Sequence, residues 1–552
     1  MRRLLVAAVA ALAAALVLAP VAPAVDDVNT KRLRRNLTTG GVLDHMRALQ
    51  RIANANEGTR AATTPGYDAS LDYAERRLRR AGYRTSRDPF PFASWEQNGP
   101  ATLALGATTF TEGPPEGATE GGDYVIAQFS GSGDVTGPIV PIDYTGPPAE
   151  AGGSTSGCEP ADYPAPPSPS AIALVQRGTC TFVDKIAMAV AAGYGAVLVA
   201  NDGFPDRIEP LQIGADPFTP VPVAMTSSTV GLQLVAAAGQ ELRFAVSTTT
   251  EEVTQYNLIA DSRTGDPERT IVVGAHLDSV EEGPGINDNG SGTSTIIETA
   301  EQIAKLERNP RNRIRFAFWG AEEAGLVGST AYVADLIESG EIDDIEANLN
   351  FDMLGSPNFV RFVYDGDNST GEGAEGPPGS AEIEQVFLDY FESQDLPTTP
   401  TAFDGRSDYG PFIAPEAFVP AGGLFSGAEG VKTEEEAAIY GGAAGSWYDP
   451  CYHQACDTFS SVVYQPSLDA TGLEEGSEAA DAALMRGNGA LGLGQLADGA
   501  AHATWTLARS RSPLVGPAVA RVAKAAKARK KLRRAAKRAA KTRQYEGGQR
   551  IR

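Results

Sequence analysis

The chain reads as an α/β protein: a mixed sheet flanked by helices, interrupted by a separate and mostly β module. From Asn257 onward, short β-type runs alternate with a long helical period, Ile271–Gly274, then Gly292–Leu306, then Ile314–Trp319, as in a sheet covered by helices on both faces. Between about residues 121 and 246 the texture changes to short apolar runs among many Gly and Pro, at Tyr124–Phe129, Ala171–Gln176 and Ala196–Ala200. Ahead of that module, Val42–Ala53 and Gly66–Ala81 carry apolar residues at helical spacing, with Arg76, Arg77, Arg79 and Arg80 on the outer side, the pattern of surface helices. The expected organisation is therefore one discontinuous domain over 25–120 and 250–508, with the β module over 121–249.

The termini fall outside this plan. Met1-Arg2-Arg3, the apolar run Leu4–Leu18 and the small residues Ala22-Pro23-Ala24 form a secretory signal over 1–24. An uncleaved anchor is the rival reading, and Pro20 and Pro23 argue against it. No later run is long and apolar enough to span a bilayer, so the expected location is extracellular with no transmembrane anchor. The formal net charge of −24 hides an asymmetry: residues 509–552 hold 16 Lys and Arg against Glu546 alone, leaving 30 basic and 69 acidic residues before them. Such an acidic body argues against nucleic acid as the main partner. The tail, almost wholly Ala, Lys and Arg over Pro517–Arg543, is either a contact for an anionic cell surface or a solvated, removable extension.

Four cysteines behind a signal segment favour disulfides over free thiols. Local pairing is expected, Cys158 with Cys180 and Cys451 with Cys456, because each pair lies within one domain. A zinc knuckle would need a Cys-x-x-Cys spacing that is absent.

The chemistry-bearing residues collect at predicted strand ends. His276 and Asp278 close the strand ending in Gly274-Ala275, where i and i+2 side chains share a face, so Asp278 can hold one ring nitrogen while the other meets a metal. Asp288 follows within Gly285-Ile286-Asn287-Asp288-Asn289-Gly290. Phe316–Trp319 runs into Glu322 and Glu323, neighbours that leave a strand in opposite directions, so that one can face a metal and the other the water it activates. Asn350-Phe351-Asp352 ends another strand with a carboxylate, and Tyr452 and His453 sit inside a small cysteine loop. Each motif alone is weak, since a His-x-Asp is commonly a structural hydrogen bond and a Glu-Glu pair a solvated face. The chain has only four histidines, and the other two, His45 and His502, fall on predicted helices and read as structural.

In order and spacing, His276-x-Asp278, Gly285-x-Asn287-Asp288-Asn289-Gly290-Ser291-Gly292, Gly320-Ala321-Glu322-Glu323, Asn350-Phe351-Asp352-Met353 and Cys451-Tyr452-His453-x-x-Cys456 resemble the secreted dizinc aminopeptidases, over about Asn257 to Ala508. Gly405–Phe412 and Gly422–Ala428 extend the likeness. It implies the zinc exopeptidase fold and two Zn2+ per chain, about 3.5–4 Å apart. Asp288 would bridge them, with His276 and Asp352 completing one site and Glu323 and His453 the other. It further implies Glu322 as general base, Tyr452 as donor to the oxyanion, Asp278 as the partner of His276, and a cis Asp288–Asn289 peptide. Arg406 lies in the family's substrate-binding segment, and Met353 and Phe425 are candidates for an apolar pocket around the first side chain. Calcium, a feature of some relatives, has no compact oxygen-ligand loop behind it here. Ile172–Phe182, with Lys185 and Ala192-Gly193, resembles a protease-associated domain, which implies a non-catalytic module limiting substrate access. The expected partner is a peptide with a free N-terminus. A carboxypeptidase of the same fold, and a non-enzymatic receptor on the same scaffold, are the alternatives.

Overall fold

The computed structural model describes residues 25–26, 28–113, 122–205, 207–306, 308–463 and 488–514. The expected signal segment and the Ala-, Lys- and Arg-rich stretch Pro517–Arg543 lie outside them. Two compact units emerge, Met1–Phe90 with Thr254–Arg552, and Pro91–Val253. The second unit begins well ahead of residue 121. The reason is pairing: after β1 (Arg84–Gln97), strands β2 (Thr102–Leu105) and β3 (Thr108–Phe110) join the inserted sheet, with Leu103 opposite Phe244.

That sheet also contains β4 (Tyr124–Ile126), β5 (Gly133–Pro141), β6 (Ile172–Gln176), β7 (Ala196–Ala200), β8 (Val223–Thr226) and β9 (Glu241–Val246), in the order β3-β2-β9-β5-β6-β7-β8-β4. Strands β5, β6, β7 and β8 pair parallel in succession, with β9 and β4 antiparallel at the two ends of that run, and parallel neighbours need crossovers. The helix Phe182–Ala192 stands in the crossover from β6 to β7, and a second helix, Ser228–Ala236, links β8 to β9. They give the module more α character than its Gly- and Pro-rich texture suggested. Cys158 and Cys180 are joined within it.

The other unit is built on β10 (Thr248–Asp261), β11 (Asp266–His276), β12 (Asn312–Trp319), β13 (Ile345–Phe351), β14 (Phe362–Tyr364), β15 (Thr399–Thr401) and β16 (Ala421–Phe425), ordered β1-β10-β12-β11-β13-β16-β14-β15. At its centre β11 is parallel to both β12 and β13, with His276 level with Trp319 and Gly274 level with Asn350. Alternation divides the core. Ile271, Val273 and Ala275 face a layer that includes Leu49, Leu71, Ile296 and Leu496. Val272 and Trp319 face Tyr332, Leu336 and Phe412 on the other side. Both faces are covered, which is why these strands read as unbroken apolar runs. The helix Asn488–Arg509 contributes Leu493, Leu496 and Ala500 to the first layer.

Leu349 on β13 is fully buried in that layer. Leu349→Ala is expected to destabilise this unit by about 2–5 kcal/mol through lost contacts and the cavity left behind, read as a lower midpoint for its thermal unfolding.

Candidate metal centre

The parallel register brings three strand ends to one edge of the sheet. His276 is the last residue of β11, Asp352 follows β13, and Glu322 and Glu323 follow β12 by three and four residues. Asp288 stands two residues before the helix Gly290–Ala304, and its peptide bond to Asn289 is cis. The segment is tied down from several directions. Asp457 accepts the amide N–H groups of Asn287 (2.7 Å) and Asp288 (2.9 Å). Asn289 donates to the Phe351 carbonyl at 2.9 Å and accepts the amides of Gly292 and Met353. This close approach requires Gly292, where a Cβ would lie 2.2 Å from the Phe351 carbonyl oxygen. Cys451 and Cys456 are joined, closing the loop that carries Tyr452 and His453.

Asp288 meets two imidazoles, one through each oxygen. Its Oδ1 is 3.0 Å from His276 Nε2 and its Oδ2 is 3.4 Å from His453 Nε2. The same His276 nitrogen is 3.2 Å from Asp352, and His453 Nε2 is 3.1 Å from Glu323. The five expected ligands therefore fall into His276–Asp288–Asp352 and His453–Asp288–Glu323, with Glu322 Oε2 3.9 Å from His276 Nε2. Glu323 Oε1 and His276 Nδ1 are buried without a hydrogen-bond partner. The orphaned Glu323 oxygen, within a set of imidazoles and carboxylates, fits a divalent cation of zinc character.

Asp278 faces His276 as expected, as an ion pair: its Oδ1 stands 3.7 Å from His276 Nδ1, beyond a hydrogen bond. Its oxygens also accept the amides of Glu322 (3.2 Å) and Glu323 (3.3 Å), so this carboxylate fixes the backbone of the two acids.

Two supporting residues escaped the sequence reading. Ser407 donates to Asp352 Oδ2 at 2.6 Å and accepts from Asn350 at 2.8 Å. Asp457 holds the Asp288 segment as described. Ser407 lies inside the quoted stretch Gly405–Phe412 and Asp457 directly follows Cys456, but nothing in the spacing gave either a role. His45 and His502 are partnered away from the centre. His45 contacts Tyr73 and Glu298, whose neighbour Glu301 is clamped by Arg77, and His502 contacts Thr30 Oγ1.

Crowding raises both imidazoles and the adjacent acids Glu322 and Glu323, for different reasons. Burial alone would lower His453, but its hydrogen bonds to Asp288 and Glu323 lift it to about 10. His276 is likewise held well above its usual value, with burial overcome by Glu322 and Asp352. Burial raises Glu322 well above the carboxylate range and Glu323 to about 7. Asp288, Glu322, Glu323, Asp352 and His453 open onto a cleft of about 680 Å3 that also includes Met353, Phe425, Phe362, Tyr448, Arg406 and Tyr452 in its walls. Arg406 donates to Glu429 at 2.7 Å and to the Tyr452 hydroxyl at 3.3 Å.

The centre and its surroundings have close relatives among known proteins. An aminopeptidase of Pseudomonas aeruginosa is 44% identical over 434 residues, 78% of each chain, and the profile of peptidase family M28 matches residues 257–473. The chain belongs to peptidase family M28. A PA domain profile matches residues 135–234, within the inserted unit. A probable lipoprotein aminopeptidase of Mycobacterium tuberculosis is 39% identical over 78% of this chain and 82% of its own. Among solved structures, an aminopeptidase from Aneurinibacillus sp. strain AM-1 superposes with a TM-score of 0.63 at 21% identity, covering 89% of this chain and 98% of that one. The zinc aminopeptidase BSAP from Bacillus subtilis gives 0.53 at 22% identity, covering 84% and 94%. Both likenesses are of fold.

A pH dependence of metal uptake follows from the raised imidazoles of this M28 chain. Only a neutral imidazole ligates, so below about pH 10 a cation must displace the proton on His453. Zinc affinity is expected to tighten as pH rises from 6 to 8, with protons released on binding. Calorimetry in buffers of different ionisation enthalpy measures that release.

Proposed function

We propose that the protein is a secreted zinc aminopeptidase that removes apolar N-terminal residues from peptides. The observation that carries this reading is the charge of the cleft. Asp288, Glu322, Glu323, Asp352, Asp404 and Glu429 line it, and Arg406, already held by Glu429, is the one Lys or Arg among the described lining residues. That surface suits a free α-ammonium group. A carboxypeptidase needs an uncommitted cation for the substrate's terminal carboxylate, and a receptor on this scaffold has no need of the complete donor set.

His276, Asp288 and Asp352 would hold one zinc ion, and Asp288, Glu323 and His453 the other. Bound zinc supplies Lewis acidity that polarises the scissile carbonyl and acidifies water. Glu322, buried and facing the centre, takes the proton of the attacking water and hands it to the leaving amine. Tyr452 stays protonated because burial raises its phenol; it donates to the oxyanion while Arg406 occupies the other side of its oxygen. Asp278 keeps Glu322 and Glu323 in register, and Ser407 does the same for Asp352. Met353, Phe362, Phe425 and Tyr448 give the first side chain an apolar wall, in which the rings of Phe362 and Phe425 stack at 5.8 Å.

Secretion is supported by the N-terminal sequence and by the cysteines. All four are in disulfides, which leaves no thiol for a lipid of the kind the mycobacterial relative's name implies. No described helix is long and apolar enough to cross a membrane. The basic segment 509–552 would give the secreted protein a contact for an anionic surface.

The test is hydrolysis of leucyl-p-nitroanilide beside its N-acetylated twin. Cleavage of the free amine alone, abolished by a chelator and restored by zinc, is expected. Glu322→Ala should lower kcat by roughly 10²–10⁴ with zinc content unchanged. Cleavage of N-blocked peptides from their free C-terminus would support the carboxypeptidase instead.

A further inference from the structure

Arg60 is fully buried and belongs to no chemistry described so far. It follows the helix Thr39–Ala55, more than 200 residues in sequence from the centre, yet its whole fork is spent on the segment linking His276 to Asp288. Nε donates to the Pro284 carbonyl at 2.8 Å, Nη2 to the Gly285 carbonyl at 2.6 Å, and Nη1 to the Leu277 carbonyl. Its own amide donates to Ser279 Oγ at 3.0 Å, and that hydroxyl lies 3.0 Å from the Gly283 carbonyl. Four points along Leu277–Gly285 are thus gathered onto one residue.

The arrangement is unusual in its partners. A buried guanidinium normally answers a carboxylate, whereas Arg60 answers main-chain oxygens while Asp278, Asp457, Asp288 and Glu323 surround it at longer range. Three carbonyls at fixed positions match a planar, rigid fork and no other side chain; an ammonium can satisfy only part of the set. The gathered segment has a ligand on either side, His276 immediately before it and Asp288 three residues after it.

We propose that Arg60 is a positioning residue of the metal centre, setting the path of Leu277–Gly285 so that His276 and Asp288 converge before a metal arrives. The inference rests on the zinc site proposed above. It is geometric and not a matter of charge alone, because removing a cation by itself would favour a second cation nearby.

Arg60→Lys separates the two, since it keeps the charge and loses the fork. Zinc affinity is measured by chelator competition on wild type, Arg60→Lys and Arg60→Met, beside thermal unfolding of the metal-free proteins and kcat and KM at saturating zinc. Arg60→Lys is expected to weaken zinc binding about tenfold, the lower end for residues that support metal ligands, and to lower kcat more than KM changes. Wild-type zinc affinity in Arg60→Lys would overturn the proposal, as would a lowered unfolding temperature with zinc affinity intact. If Arg60→Lys does not fold, Ser279→Ala removes one tie of the same segment; a two- to threefold weaker zinc affinity is expected, and none at all counts against the proposal. Wild type that binds no zinc would instead remove the underlying site.

Discussion

Everything at the centre depends on Asp288 reaching two imidazoles at once. A single carboxylate can do so only if the strand ends carrying His276, Asp352 and the Glu322–Glu323 pair are level, and if the cysteine loop brings His453 over the opposite oxygen. The parallel alignment of β12, β11 and β13 supplies the first condition. The join of Cys451 to Cys456 and the bonds of Asp457 to the amides of Asn287 and Asp288 supply the second. The sheet is a levelling device, and the loops are the means by which side chains from distant sequence meet.

Such convergence works against the electrostatics of the metal-free fold. Glu322 and Glu323 lie buried beside Asp288, and burial with like charge nearby disfavours their ionisation, while His276 and His453 hold Asp288 below the usual carboxylate range. The protein answers with main-chain amides on Asp278 and Asp457, a hydroxyl on Asp352, and imidazoles that keep their protons. Each answer leaves acceptor capacity pointing inward. A site that is strained by its own charge when empty binds a divalent cation the more tightly, and any cation bound only by the folded form adds to its stability.

Much of this was legible in the sequence because its signals are short. The strand Ile271–Gly274 announces itself by a buried apolar run, and His276-x-Asp278, Glu322-Glu323 and Asn350-Phe351-Asp352 announce themselves by acids where such runs stop. The contacts that shape the centre are long-range and leave no local trace. Arg60 sits in an ordinary inter-helix loop, Asp457 follows a cysteine without distinction, and nothing local foretold that Asp278, besides facing His276, binds the amides of Glu322 and Glu323. The inserted unit illustrates the same limit. Its start was placed at a change of texture near residue 121, but β2 and β3 belong to it through pairing with β9 across more than a hundred residues. The Ala-rich helix Phe182–Ala192 was hidden by a composition that shows no clean polar face.

The most direct test of the account is anomalous X-ray scattering at the zinc edge from crystals of the full-length protein. The account requires two peaks that share Asp288, one against His276 and Asp352 and the other against Glu323 and His453. A single peak, or zinc held away from Asp288, would contradict it.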